Sequence, residues 1–408
     1  MRRKWFIASW LVIAIAAVVV AGIAFRGSTG NAAAATQRFG PKEADVTIED
    51  GVWKTVHLTA SKFQWQFRDD QKPVEVWGYN NQIPGPTLRF KPGDKVRIYF
   101  QNLLDEASSI HWHGLVVPNS MDGVGGLTQP PVLPGETFVY EFTIPNTPGT
   151  FMYHAHMDDL QQVSMGLSGA LIVDPRDNTN STYTQDRIVV FNNIAGHYLI
   201  NGKEFPNIDP WLVRTGDKIR VRMINISPLE GHPMHFHGHF VKEIARDGTD
   251  EKSGPTAMVE NTVWIAPGQT IDVEVTMNAP GKGVWIFHCH NLAHVMGPDG
   301  KSLNIALANG GMIIPVVYTD SLNFDQIMSS FQAAVKAIQP PGGNPTPTAA
   351  TTPQSGSTPS AQSTPAASGT PAAGTTPGAT SPSGTTSLGQ AIQSANAAAA
   401  ADQSHAGH

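Results

Sequence analysis

Of the 15 histidines in this 408-residue chain, 11 fall in four tight clusters. They are His111-Trp112-His113, His154-Ala155-His156, the run from His232 to His239, and His288-Cys289-His290 with His294. Residues two apart in a strand point to the same face, so each His-x-His sets two imidazoles side by side. A lone histidine is more often structural. Paired imidazoles in four places make a ligand set for a metal, to which neutral imidazole is the commonest protein donor.

An internal repeat sorts these residues. Pro86 to Asn102 lines up with Pro210 to Asn225, and Pro134 to His156 lines up with Pro267 to His290. His111 and His113 therefore match His235 and His237, while His154 and His156 match His288 and His290. Each repeat contributes four equivalent imidazoles, and the eight together suit a cluster of three ions. Cys289 lies between two cage histidines, so its thiolate points to the opposite strand face. His232 has the opposite parity to His235 and His237, and His294 follows one loop later. Cysteine with two histidines is the trigonal set of a blue copper site, ordinarily completed by a long axial methionine. The first repeat has Ser108, Ala155 and Leu160 at those positions, so it keeps its half of the cage and lacks the mononuclear site.

The elements that must position these groups are short β runs broken by Pro and Gly. Val96 to Phe100 and Phe138 to Phe142 alternate as half-buried strands do. The fold class is all-β: two tandem Greek-key barrel or sandwich domains at 44–176 and 186–320. Apolar residues at Phe324, Ile327, Met328, Phe331, Val335 and Ile338 fit an amphipathic helix over 321–338. From Gln339 to 408 a Pro/Thr/Ser/Ala-rich stretch reads as a disordered tail, closed by His405 and His408, which could scavenge metal.

At the other end, Met1-Arg2-Arg3-Lys4 precedes an apolar run from Trp5 to Phe25. Residues 1–35 read as a signal peptide, with Ala32 to Ala35 as a cleavage site, or as a retained signal anchor. Either places the body outside the cytoplasmic membrane: extracellular, on the cell surface or periplasmic. The net charge is −6; removing Arg2, Arg3, Lys4 and Arg26 with that segment leaves −10. So acidic a body argues against nucleic acid as a partner. Cys289 is the only cysteine, which excludes an intrachain disulfide.

The four motifs His-x-His-Gly, His-x-His, His-x-x-His-x-His and His-Cys-His-x-x-x-His resemble those of the multicopper oxidases. Around them stand His111-Trp112-His113-Gly114-Leu115, Met121-Asp122-Gly123, Thr128-Gln129 and Pro134-Gly135. The resemblance runs from about Asp45 to Tyr318, and with two domains and the blue site in the second the chain looks like the small, two-domain laccases. It implies cupredoxin-like domains and a homotrimer in which domain one of a subunit meets domain two of its neighbour. It also implies four coppers and reduction of dioxygen to water with electrons from a small-molecule or metal-ion donor. Type 1 copper would take His232, Cys289 and His294, and type 2 copper His111 and His235. The type 3 pair would take His113, His154, His156, His237, His288 and His290. Asp122 resembles the family's proton-donating acid, although an aspartate before Gly123 also suits a plain turn. His239 has no family role and reads as a supporting residue. Copper is expected over zinc, which cannot change valence.

Two departures stand out. The family's axial position, five residues after the last histidine, is Asp299 here. Gly297 to Gly311 reads as an insertion, which makes Met312 the axial candidate and Met296 the second. Ala293 stands where some relatives carry an acid. A copper nitrite reductase shares the two-domain plan but keeps its blue site in the first domain and lacks the full cage. A non-catalytic copper-binding protein on this fold would have lost ligands. The donor stays open between phenols or aromatic amines and Cu(I), Fe(II) or Mn(II); the chain has no methionine-rich insertion.

Overall fold

The computed structural model describes residues 36–69, 71–177, 182–205, 207–249, 258–280, 283–296 and 310–320. The leader 1–35, the helix expected at 321–338, the tail at 339–408 with His405 and His408, and Asp299 lie outside the described residues.

The first repeat supplies two sheets. One has the order β2 (Thr47–Glu49), β3 (Trp53–Trp65), β6 (Lys95–Asn102), β8 (Thr137–Thr143), with β4 (Val74–Tyr79) also on β3. The other runs β5 (Gly85–Phe90), β10 (Ser168–Val173), β9 (Gly149–Ala155), β7 (Ile110–His111). The second repeat builds one sheet from β1 (Gln37–Phe39), β11 (Gln185–Ile194), β14 (Lys218–Asn225), β19 (Thr270–Thr276), β16 (Val241–Arg246) and β17 (Val259–Glu260), with β12 (His197–Ile200) on β11. Its facing sheet runs β13 (Trp211–Val213), β21 (Ile313–Tyr318), β20 (Val284–Cys289), β15 (His232–Phe236), β18 (Thr262–Ile265).

The wiring repeats with the sequence. β3 pairs parallel with β6 and β6 antiparallel with β8, as β11 does with β14 and β14 with β19. Likewise β5, β10, β9, β7 match β13, β21, β20, β15 in order and direction. Parallel neighbours far apart in the chain are what Greek-key crossovers leave in a sandwich. Upstream of residue 44, Gln37–Phe39 adds a parallel strand to the second repeat's sheet, beside β11.

Alternation decides the packing. In β6 the residues Val96, Ile98 and Phe100 are fully buried, and β14 buries Ile219, Val221 and Met223 in the same phase. Each sandwich thus has its own core. A third cluster joins them, Met152, Val163, Ala170 and Ile172 meeting Ile188, Val190, Ile224 and Ile226. Beside it Arg222, 0% exposed, forks onto Asp186 at 2.7 and 3.1 Å and reaches Thr150 Oγ1 of the first domain at 2.9 Å. So buried a charge is tolerated only when paired and fully hydrogen-bonded.

Both repeats end this strand in a buried asparagine. Asn102 donates to the carbonyls of Glu106 and Val132, and Asn225 to those of Glu230 and Ile265. Each also accepts from the amide two residues on, Leu104 or Ser227. These staples shape the loops that lead into the two histidine strands, β7 and β15. Among the described residues no helix is long and apolar enough to cross a membrane.

Candidate metal centres

Strand pairing brings the first two motifs together. His111, at the end of β7, lies opposite His154 on β9, and His113 and His156 follow just beyond those strands. The ring of His111 stands 5.7, 5.4 and 5.4 Å from those of His113, His154 and His156. His113 Nδ1 and His154 Nε2 approach to 3.3 Å, and His111, His113 and His154 can place three donor atoms around one ion. His111 Nδ1 donates to the Asp122 carbonyl at 2.7 Å, with the Asp122 carboxylate 3.5 Å away. That leaves His111 Nε2 for a metal, the arrangement in which the other ring nitrogen fixes tautomer and orientation. Gly123 makes the approach possible: at φ 90° it lies so close to Ile110 and His111 that any Cβ would clash.

The second domain repeats the quartet. His235 lies opposite His288 across β15 and β20, and His237 Nε2 comes within 3.0 Å of His288 Nε2. The ring of His290 stands 5.6 Å from that of His235. His235 Nδ1 has the Asn261 carbonyl and Thr262 Oγ1 at 2.9 Å. No ring contact or hydrogen bond among the described residues joins this quartet to the first.

On the other face of β20 the third set converges. Cys289 Sγ lies 3.4 Å from His294 Nδ1 and 3.8 Å from His232 Nδ1, and the two Nδ1 atoms are 3.1 Å apart. All three residues are buried, at 2% exposure or less. The outer nitrogens face polar partners: His232 Nε2 lies 3.0 Å from Ser227 Oγ, and His294 Nε2 lies 2.7 Å from Glu230 Oε2, with the Asn291 side-chain nitrogen also 2.8 Å away. Tyr198 stacks on His294, ring centroids 4.0 Å apart, and its hydroxyl donates to Glu230 Oε1 at 3.3 Å.

The electrostatics suit metal. Burial holds His154 and His232 down at about 3 and His288 at about 4, so these imidazoles are neutral with lone pairs free. Burial pushes the Cys289 thiol up to about 12, so only a cation at that point would make it a thiolate. Burial pulls the Glu230 carboxyl upward, but the bond and charge of His294 outweigh it and hold Glu230 below its usual value. A buried sulfur with two convergent Nδ1 atoms fits copper, the metal that soft thiolate–imidazole sets select.

Met312 is fully buried and its main chain is tied to this site: its amide donates to the His294 carbonyl and its carbonyl accepts from Cys289. Gly311 allows this, since at φ 79° a Cβ there would collide with His294 and Val295. Met296 caps the short 3-10 turn Leu292–Val295 and is half-buried; Ala293 in that turn is exposed. His239 donates from Nδ1 to the His237 carbonyl and accepts at Nε2 from the Tyr318 hydroxyl at 2.6 Å. It supports a cage strand and stands outside the cage.

In the first domain Ser108 and Ala155 are fully buried as placed by the repeat, but Leu160 is 45% exposed. The space is filled by Gln162, on helix α1 (Asp159–Ser164), whose amide joins Ser108 Oγ, Glu106 and the Ala107 carbonyl. Glu230, Tyr198, Ser227, Asn291 and Gln162 were missed from sequence. Each is a single polar residue with no motif around it. Asp159, 3.4 Å from His156 Nδ1, belongs with them.

Comparison with known proteins agrees with this geometry. Two multicopper oxidase family models match, over residues 60–178 and 174–297. A laccase-1 of Cryptococcus neoformans var. grubii is 40% identical over 261 residues, covering 52% of this chain and 40% of the relative. A probable nitrite reductase-hydroxylamine oxidoreductase fusion protein of Kuenenia stuttgartiensis is 29% identical over 269 residues, 58% of this chain and 30% of that one. The chain thus spans well under half the length of these curated relatives. Among solved structures, a blue copper oxidase from Nitrosomonas europaea superposes with a TM-score of 0.59 at 28% identity, covering 66% of this chain and 86% of the other. With both repeats matched by models of one family, this chain belongs to the multicopper oxidases.

Proposed function

We propose that this chain is a laccase-like oxidase that couples one-electron oxidation of a small donor to four-electron reduction of dioxygen to water. The observation that carries the reading is the double use of β20, which turns Cys289 into one donor cluster and His288 into another. His232, Cys289 and His294, with Met312 beside them, would hold type 1 copper, and His111 and His235 type 2 copper. His113, His154, His156, His237, His288 and His290 would hold the type 3 pair. These four ions supply the one-electron redox changes that no side chain here can provide.

The chain's own residues do the rest. Burial of Cys289, His232 and His294 keeps water from the thiolate side. A donor would approach the exposed Leu229 and Leu292, chain neighbours of Glu230 and of the turn that carries His294, with Glu230 linking that surface to the buried imidazole. There Glu230 is placed to take the proton a phenol or aromatic amine loses with its electron. Asp122 would serve as the acid of the cage, its carboxyl lying 3.5 Å from His111 Nδ1.

The two quartets of one chain make no contact among the described residues, which supports a cage closed between subunits, as a homotrimer provides. Export, with or without a retained anchor, fits the basic-then-apolar start.

A metallo-oxidase for Fe(II), Mn(II) or Cu(I) is the second reading, favoured by the same Glu230, whose carboxylate suits the harder Fe(II) and Mn(II). Steady-state oxygen consumption by copper-loaded protein, comparing a phenol with these ions, tests both. Efficient turnover of the phenol is expected; efficient turnover of a metal ion alone replaces the laccase reading with the second.

A further inference from the structure

Tyr198 touches both His294 and the carboxylate at its outer edge. Its ring stacks on the imidazole with centroids 4.0 Å and planes 18° apart, and its hydroxyl donates to Glu230 Oε1 at 3.3 Å. We propose that Tyr198 is a positioning residue: its ring fixes the plane of His294, and its hydroxyl holds the Glu230 carboxylate against the outer nitrogen of that imidazole. This rests on the oxidase reading above, in which Glu230 takes a donor's proton.

Glu230 needs such a hold. It sits in the loop between β14 and β15, its side chain 24% exposed, beside the exposed Leu229. Asn225 staples only its carbonyl, so the side chain is left to turn toward water. His294 Nε2 also has the Asn291 side-chain nitrogen at 2.8 Å, close to the 2.7 Å of Glu230 Oε2, and one ring nitrogen serves one such partner well. A bond to the second carboxylate oxygen favours Glu230, since only this rotamer makes it.

Tyr198 stands on firmer ground. β12 is joined to β11 by the two-residue turn Ala195-Gly196, left-handed at φ 51° and 79°. Leu199 and Ile200, which follow Tyr198, are fully buried. A group fixed to the core thus holds one carried by a loop.

The repeat ties the hydroxyl to the metal set. Ala60 lies opposite Asn102 as Phe191 lies opposite Asn225. Two residues on, Lys62 pairs with Trp77 as Asn193 pairs with Tyr198, so Trp77 is the first domain's counterpart of Tyr198. By the asparagine staples Glu106 is the counterpart of Glu230, and it accepts from Gln162 at 2.7 Å where Glu230 meets His294. Both domains therefore keep a ring and a glutamate at these places. Only the domain with a cysteine and two histidines puts a hydroxyl between them; the other has an indole with Lys62 over its ring at 4.4 Å.

The test uses copper-loaded Tyr198→Phe, which keeps the ring, and Tyr198→Leu, which keeps neither ring nor hydroxyl. Crystal structures, visible spectra and kinetics are compared with the parent's, using a phenol and ferrocyanide, which has no proton to lose. In Tyr198→Phe the Glu230 side chain should leave His294 while copper and the blue band stay. Its kcat/KM for the phenol should fall about tenfold relative to that for ferrocyanide, the scale of one hydrogen bond. In Tyr198→Leu the His294 ring is freed as well, and the blue band should shift or broaden. Glu230 still on His294 in Tyr198→Phe, an unchanged ratio between the donors, or an unmoved band in Tyr198→Leu overturns the proposal. A blue parent that consumes no oxygen with any donor refutes the oxidase reading instead, and the place of Glu230 in the Tyr198→Phe crystal then still decides the positioning role.

Discussion

His294 presents Nδ1 to Cys289 Sγ at 3.4 Å and Nε2 to Glu230 Oε2 at 2.7 Å, so one imidazole links a buried sulfur to a partly exposed carboxylate. A ring contacted at both nitrogens is fixed in orientation. In the proposed reading it joins the side that would hold copper to the side from which a donor would come.

Glu230→Gln should therefore separate donors by their proton chemistry. Phenols should lose about 100-fold in kcat/KM, the scale of a removed general base. A donor with no proton to lose should be little affected. Equal losses for both kinds would show that Glu230 only positions His294.

Asp122 has two contacts with His111, and they should separate on substitution. The carbonyl that orients the ring survives in Asp122→Ala, so copper content should hold. The carboxylate is gone, and turnover at saturating donor should fall about 100-fold. Loss of copper alongside activity would make Asp122 a structural residue of the turn.

Much of this was legible in the sequence because the chemistry is written at strand spacing. The period of two told which face each histidine and Cys289 would take, and the internal repeat told which residues form equivalent sets. What could not be read depends on loops and on distant pairing. Glu230 reaches His294 only because Asn225 staples the loop that carries it. Gln162, not Leu160, fills the lost site because α1 turns that residue inward. The strand at Gln37–Phe39 has only three residues, too few for a periodicity, and its parallel partner lies nearly 150 positions away.

The junction between domains predicts how the fold responds to acid. Burial alone would raise the Asp186 carboxyl, but Arg222 beside it outweighs this and holds it below its usual value. A carboxyl lowered in the folded state stabilises the protein above its unfolded pKa of about 3.9 and ceases to do so as pH falls through the folded value. Thermal melts should be insensitive to this group near neutrality and drop below about pH 4. Asp186→Asn leaves Arg222 buried without its forked partner and should cost about 3–5 kcal/mol at neutral pH. A melt within error of the parent's would remove this pair from the account of stability.

Cage closure between subunits can be tested by mixing. His111→Ala disables the first quartet and His237→Ala the second, and each variant alone should be inactive. Co-refolded in equal amounts, the two should recover about a quarter of the parent's activity, since one interface in four then pairs two intact halves. No recovery in a mixture shown by mass to contain both chains would place the cage within one subunit.

The most direct measurement is the visible spectrum and copper content of the purified, copper-loaded protein beside its Cys289→Ser variant. The parent should hold four coppers per chain and show an intense blue thiolate band; the variant should lose that band, one copper and nearly all oxygen consumption with donor. A colourless parent, or a Cys289→Ser protein that consumes oxygen as fast, would contradict a redox-active copper at Cys289.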